Sequence, residues 1–116
     1  MTGTSPIDQY HAAKPTQFRI LGGLEVSQSL SRSSSSWQVS VRMILRRVAG
    51  TGSLVLTFTG VTELAFRPQG MPMSMGVLNI EDLSDSHWEG VRYRVKDIEQ
   101  EDTFSCLCAE FSIDQS

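Results

Sequence analysis

Apolar and polar residues alternate most cleanly from Trp37 to Arg47. There Trp37, Val39, Val41, Met43 and Leu45 interleave with Gln38, Ser40, Arg42, Ile44 and Arg46. A period of two puts successive side chains on opposite faces, so the run reads as a strand with one buried and one solvent-facing side. On that reading Trp37 belongs to the core. Ser53–Thr59 repeats the pattern, with Leu54, Leu56 and Phe58 on one side and Ser53, Val55, Thr57 and Thr59 on the other. Gly50-Thr51 lies between the two runs, and glycine at the first central position suits a type II′ turn. Such a turn sets Leu45 opposite Leu56 and Met43 opposite Phe58, so that the apolar sides coincide.

Three more strand-like runs follow, at Leu78–Leu83, Val91–Asp97 and Thr103–Ile113. In the middle one Val91, Tyr93 and Val95 share a face opposite Arg92, Arg94 and Lys96. The last carries apolar groups on both faces, with Phe104, Cys106 and Cys108 on one and Leu107, Ala109, Phe111 and Ile113 on the other. That pattern fits a central strand covered twice, or a bulge that changes face midway. Gly60-Val61 leads into a short strand at Leu64–Phe66, and Arg67–Gly76 reads as a loop by its prolines and glycines. Upstream, Ser5-Pro6 before Ile7–Ala13 has the form of a capped helix start, and Pro15 ends it. Phe18–Leu21 and Leu24–Leu30 flank Gly22-Gly23, the composition of a hairpin turn between short strands. Ser31–Ser36 is a polar, low-complexity loop.

These elements predict a mainly β protein, an antiparallel curved sheet or two-layer sandwich with a short N-terminal helix. We expect one domain over 1–116, with 1–36 a peripheral N-terminal segment and 37–113 the β core. At 116 residues and 12.9 kDa the chain can bury roughly two thirds of its unfolded surface without staples. No apolar run is long enough to cross a membrane as a helix. The start, MTGTSPIDQYHAAK, lacks a basic n-region and an apolar h-region, so a cytoplasmic location is expected.

Charge changes the picture more than composition does. The formal net charge is −3 and the pI about 5.3, which argues against a general nucleic-acid binder. Residues 78–116 hold ten acids and three bases, net −7, whereas residues 1–77 hold three acids and seven bases, net +4. An acidic half steers association with a basic partner. Acidic loops also keep a β protein soluble and discourage edge-to-edge pairing, and charge alone favours that plainer reading.

Candidate chemistry is sparse. Glu81-Asp82 are sequence neighbours, so on a strand they diverge and do not make an acid/base pair. His11, His87, Cys106 and Cys108 lack the paired spacings of zinc sites, and C-x-C on a strand is too wide for an easy disulfide. Met71, Met73 and Met75 resemble thioether copper ligands, but an adaptable contact loop suits them better. Ser86-His87 adjacency is not a triad, and no nucleophile elbow, phosphate loop or dinucleotide fingerprint occurs. No cofactor, metal or catalytic residue is therefore expected, and no enzyme. Trp88, in an acidic turn, is either a cap on the core or an interface anchor.

The segments FTGVTELAF (Phe58–Phe66), LNIEDLSDSHWEG and VRYRVKDIEQEDTFSCLCAEF together resemble small bacterial proteins that accompany polymorphic toxins as immunity proteins. The resemblance spans Phe58 to Phe111. It implies a cytoplasmic, non-enzymatic protein that binds and blocks one cognate toxin; the charge and the lack of a spanning run add the expectation of no direct contact to nucleic acid or membrane. Joined to the charge pattern, it makes Glu81, Asp82, Asp85, Trp88, Glu89, Glu99, Glu101 and Asp102 the expected partner-binding residues, facing a basic toxin such as a nuclease. The alternative is a small structural or assembly subunit that self-associates through β edges.

Overall fold

In the computed structural model the described residues are 5–30, 36–67, 78–83, 90–97 and 103–115. Helix α1 spans Pro6–Ala12, with proline in its first turn and the Ser5 hydroxyl accepting from the Asp8 N–H at 3.2 Å. That cap satisfies one of the four donors a helix start leaves open. Lys14 then takes a left-handed conformation, and Pro15–Gln17 forms a 3-10 turn.

Strand β1 (Phe18–Leu30) pairs antiparallel with β2 (Trp37–Arg47), reaching as far as Leu30 opposite Trp37. The expected hairpin turn at Gly22-Gly23 is not there. A two-residue turn of types I′ or II′ needs positive φ, and neither glycine has it. The pair instead makes a bulge, with the register shifting between Leu21 and Gly23. A Cβ on Gly22 would stand 2.8 Å from Arg46 Nε, so the missing side chain makes room for the arginine on the neighbouring strand.

Strand β3 (Ser53–Thr59) pairs with β2 in a register two residues from the expected one. Leu45 faces Leu54, Met43 faces Leu56 and Val41 faces Phe58. The connection is wider than a two-residue turn. The Arg47 N–H donates to Gly52 O at 3.4 Å, while the Val48 N–H is taken by Gln17 O at 3.1 Å. A shift of two preserves every face, and Val41, Met43, Leu45, Leu54, Leu56 and Phe58 are all buried.

Five further strands complete the fold: β4 (Thr62–Phe66), β5 (Leu78–Asp82), β6 (Tyr93–Asp97), β7 (Phe104–Cys108) and β8 (Glu110–Gln115). They give two four-stranded antiparallel sheets, ordered β1-β2-β3-β8 and β4-β7-β6-β5. The Thr103–Ile113 run is thus two strands that meet at Ala109. Phe104, Cys106 and Cys108 point inward before it and Phe111 after it, so the buried parity switches there. The same happens on the partner chain segment at Gly60, whose φ is +64°. Pairing runs through this corner in one register, Thr59 with Glu110 in the first sheet and Thr62 with Leu107 in the second. The Ala109 N–H bonds to Thr59 O at 3.0 Å, and that of Val61 to Val39 O at 3.0 Å.

One core lies between the sheets. Phe58 packs on Phe104 and Phe111 with ring centroids 6.2 and 6.1 Å away, and Tyr93 meets Phe111 edge-on at 4.8 Å. Helix α1 contacts both β8 and β5, and Tyr10 from it enters the core and donates its hydroxyl to Leu78 O at 2.8 Å. Trp37 is not part of this core, being 69% exposed. Its parity is right but its position is not. Pairing of β2 with β3 stops at Ser40, so the far end of the β1–β2 hairpin runs past the third strand. No helix among the described residues is long and apolar enough to cross a membrane.

Candidate functional site

The acid-rich region is assembled around Arg92. Its backbone accepts from the Leu83 N–H at 2.6 Å and donates to Cys108 O at 2.9 Å, which ties the end of β5 to the end of β7. Its guanidinium lies over the Tyr93 ring at 5.2 Å and reaches Asp82 at 3.8 Å. Next along, Glu81 stands directly opposite Arg94 in the β5–β6 register, with Arg94 Nη1 3.4 Å from its Oε1. Both carboxylates are exposed, as the sequence suggested, but each is engaged by its own arginine. Exposed pairs of this kind add about 1 kcal/mol or less, and each cancels most of the field its carboxylate would project.

Other expected contact residues, Asp85, Trp88, Glu89, Glu99, Glu101 and Asp102, lie outside the described residues, as do His87 and Met71, Met73 and Met75. The described acids that sequence reasoning passed over are Glu110 and Asp114. They sit on the outward parity of β8, exposed, while Phe111 between them is buried. An open cleft of about 300 Å³ runs between Pro6, Arg92, Tyr93, Glu110 and Phe111. It brings the Asp82–Arg92 pair, the start of α1 and the start of β8 to one place. The signal for Glu110 and Asp114 was present in the alternation Glu110, Phe111, Ser112, Ile113, Asp114, but only the sheet switch at Ala109 shows which half faces solvent.

Asp97 does not belong to this surface, although it counts toward the −7 of residues 78–116. It is fully buried, on the inward face of β6 with Tyr93 and Val95 and opposite Leu78. Its parity with Tyr93 and Val95 announced this. Nearby, burial pushes the Tyr10 phenol well above its ordinary range, and the Asp97 charge raises it further.

Cys106 and Cys108 are both free and buried. Hydrogen bonding to Cys108 and burial together hold the Cys106 thiol far above the usual thiol range, which favours its protonated form. Among the described residues no three His, Cys, Asp or Glu side chains converge as a metal site. The arrangement places carboxylates on two edge strands, Glu81 and Asp82 on β5 and Glu110 and Asp114 on β8, with α1 in contact with both strands.

Comparison with known proteins identifies a family. The sequence model of the family described as Immunity protein PIM8 covers residues 2–114, well beyond the Phe58–Phe111 stretch in which the resemblance was legible. No curated protein matches the chain, and no solved structure does.

Proposed function

Since the chain belongs to the Immunity protein PIM8 family, we propose that it protects a bacterial cytoplasm by binding one cognate toxin and covering its active site with the acid-rich surface. The family membership supplies the toxin-immunity role. The contact surface rests on one observation: residues 78–116 carry net −7, and Glu110 and Asp114 stand exposed beside α1 with no ion pair among the described residues. A nuclease toxin is basic where it holds phosphates, so an acidic inhibitor competes for that site electrostatically. The protein then acts by occupation and not by chemistry. In this reading Trp88 is an anchor residue of the contact, and Glu81, Asp82, Asp85, Glu89, Glu99, Glu101, Asp102, Glu110 and Asp114 are its acidic members.

The test is binding kinetics against the product of the neighbouring toxin-like reading frame at two salt concentrations. Neutralising Glu89, Glu99, Glu101, Asp102, Glu110 and Asp114 together should slow association about tenfold at low salt and flatten its salt dependence. Glu81→Gln, whose carboxylate is already held by Arg94, should change little. Trp88→Ala should mainly speed dissociation. An unchanged association rate in the folded acidic variant defeats the electrostatic surface, and absence of binding defeats the immunity role for that toxin.

A further inference from the structure

Strand β1 is the outermost strand of its sheet, and its second half is exposed from Glu25 to Leu30. Val26–Leu30 reads Val-Ser-Gln-Ser-Leu, without a charge or a proline. Proteins usually blunt long edge strands with lysine, proline or a covering element, because unpaired backbone groups there template further pairing. Apolar side chains accompany this edge. Val26 is 53% exposed, Leu30 57%, and Trp37, opposite Leu30, 69%.

We propose that a second copy of this chain pairs with β1, antiparallel and centred on Gln28, to make one eight-stranded sheet across two protomers. The segment is self-complementary. Read in either direction it runs apolar, serine, glutamine, serine, apolar, so a two-fold axis at Gln28 sets Val26 against Leu30 and Ser27 against Ser29. With the register inside each protomer known, the cross-sheet rows on that face follow. Trp37, Leu30, the second copy's Val26 and its Val41 form one row. Val39 and Gln28 face their own equivalents in the next, and the third repeats the first in reverse. Charge permits the pairing. Glu25, the only charged residue from Gly22 to Leu30, is held by Arg42 at 3.6 Å within its own protomer. The two Glu25 side chains would stand about 20 Å apart along the strands, beyond the screening length at physiological salt. An isologous contact of this kind closes at two copies. A five-residue edge falls below the roughly 800 Å² per partner of a standard interface, so the dimer is weak and concentration-dependent. It uses β1 and not the β5 and β8 acids, and it stands or falls separately from toxin binding.

Sedimentation velocity across a concentration series should show the mass rising from 12.9 kDa toward twice that value. Gln28→Cys should crosslink to itself with a short bismaleimide, and Glu25→Cys should not; the native Cys106 and Cys108 are buried and do not compete. A Ser27→Lys, Ser29→Lys double variant sets lysines opposite each other across the axis and should abolish the dimer while leaving the unfolding transition unchanged. A monomer at every concentration, or equal crosslinking from positions 25 and 28, overturns the proposal. So does a monomeric wild type whose lysine variant loses toxin binding, since the edge would then belong to the toxin.

Discussion

Replacing Gly60 by alanine tests the corner at which the two sheets join. The backbone there has φ +64°, a left-handed conformation that adds about 1–2 kcal/mol for a residue with a Cβ. The added methyl would also stand 2.8 Å from the Ala109 Cβ and 3.5 Å from the Ala109 nitrogen. Ala109 cannot simply retreat, because its N–H is bonded to Thr59 O at 3.0 Å within the continuous ladder. Overpacking of this size adds about 1–3 kcal/mol. A less flexible unfolded chain returns about 0.4–1 kcal/mol, leaving a net loss of about 3 kcal/mol from a total stability of about 5–15 kcal/mol. In a chain this long that is a fall in Tm of about 10 °C. Gly50→Ala is the control, since Gly50 also has positive φ, +88°, but a Cβ there meets nothing within 4 Å. It should cost about 1 kcal/mol. Urea unfolding of Gly60→Ala, Ala109→Gly and the double variant then isolates the clash, because removing the Ala109 methyl should restore part of the loss. Equal losses from Gly60→Ala and Gly50→Ala, or no rescue by Ala109→Gly, would refute the reasoning.

Two further outcomes follow from the core. Tyr10→Phe removes a buried hydroxyl and its hydrogen bond to Leu78 O, and should lower stability by about 1–2 kcal/mol in urea unfolding with little change in circular dichroism; an unchanged midpoint defeats the assignment. Cys106 has a folded-state pKa raised above its ordinary 9.0, so it contributes stability that is complete below pH 9 and is lost as pH rises, because the unfolded thiol ionises first. Unfolding midpoints should therefore fall from about pH 9 upward, and iodoacetamide should modify Cys106 and Cys108 only at the rate of unfolding. Rapid modification of the native protein at pH 8 contradicts the buried, mutually bonded pair.

Local alternation made the faces legible and left distances along the strands open. Val41, Met43, Leu45, Leu56 and Phe58 declared their common side, since a period of two is a local property. Their partners were displaced by two residues because register depends on where the connection closes, and here it closes with the Arg47 N–H on Gly52 O while the Val48 N–H bonds to Gln17 O. Gly22-Gly23 read as a turn because glycine pairs serve both turns and bulges, and what distinguishes them is the passage of Arg46 on another strand. Trp37 had the parity of a core residue, but how far a hairpin outruns its neighbours is not written in its own residues. In the acidic region composition showed only where along the chain the acids are concentrated. It did not separate Glu81 and Asp82, already matched by Arg94 and Arg92, from exposed Glu110 and Asp114, or from buried Asp97, since those differences arise from contacts between strands.

The corner ladder also sets the order in which the molecule can be completed. Strands β1, β2 and β3 are neighbours in sequence and can find one another early, but Thr59 and Glu110 are separated by 51 positions. Closing so long a loop is slow, and chains dominated by such pairings fold in milliseconds to seconds. Without β7 and β8 in place, Phe58 has no cover from Phe104 and Phe111. The β7–β8 segment, which pairs in both sheets, is therefore the part of the chain on which closure of the core depends.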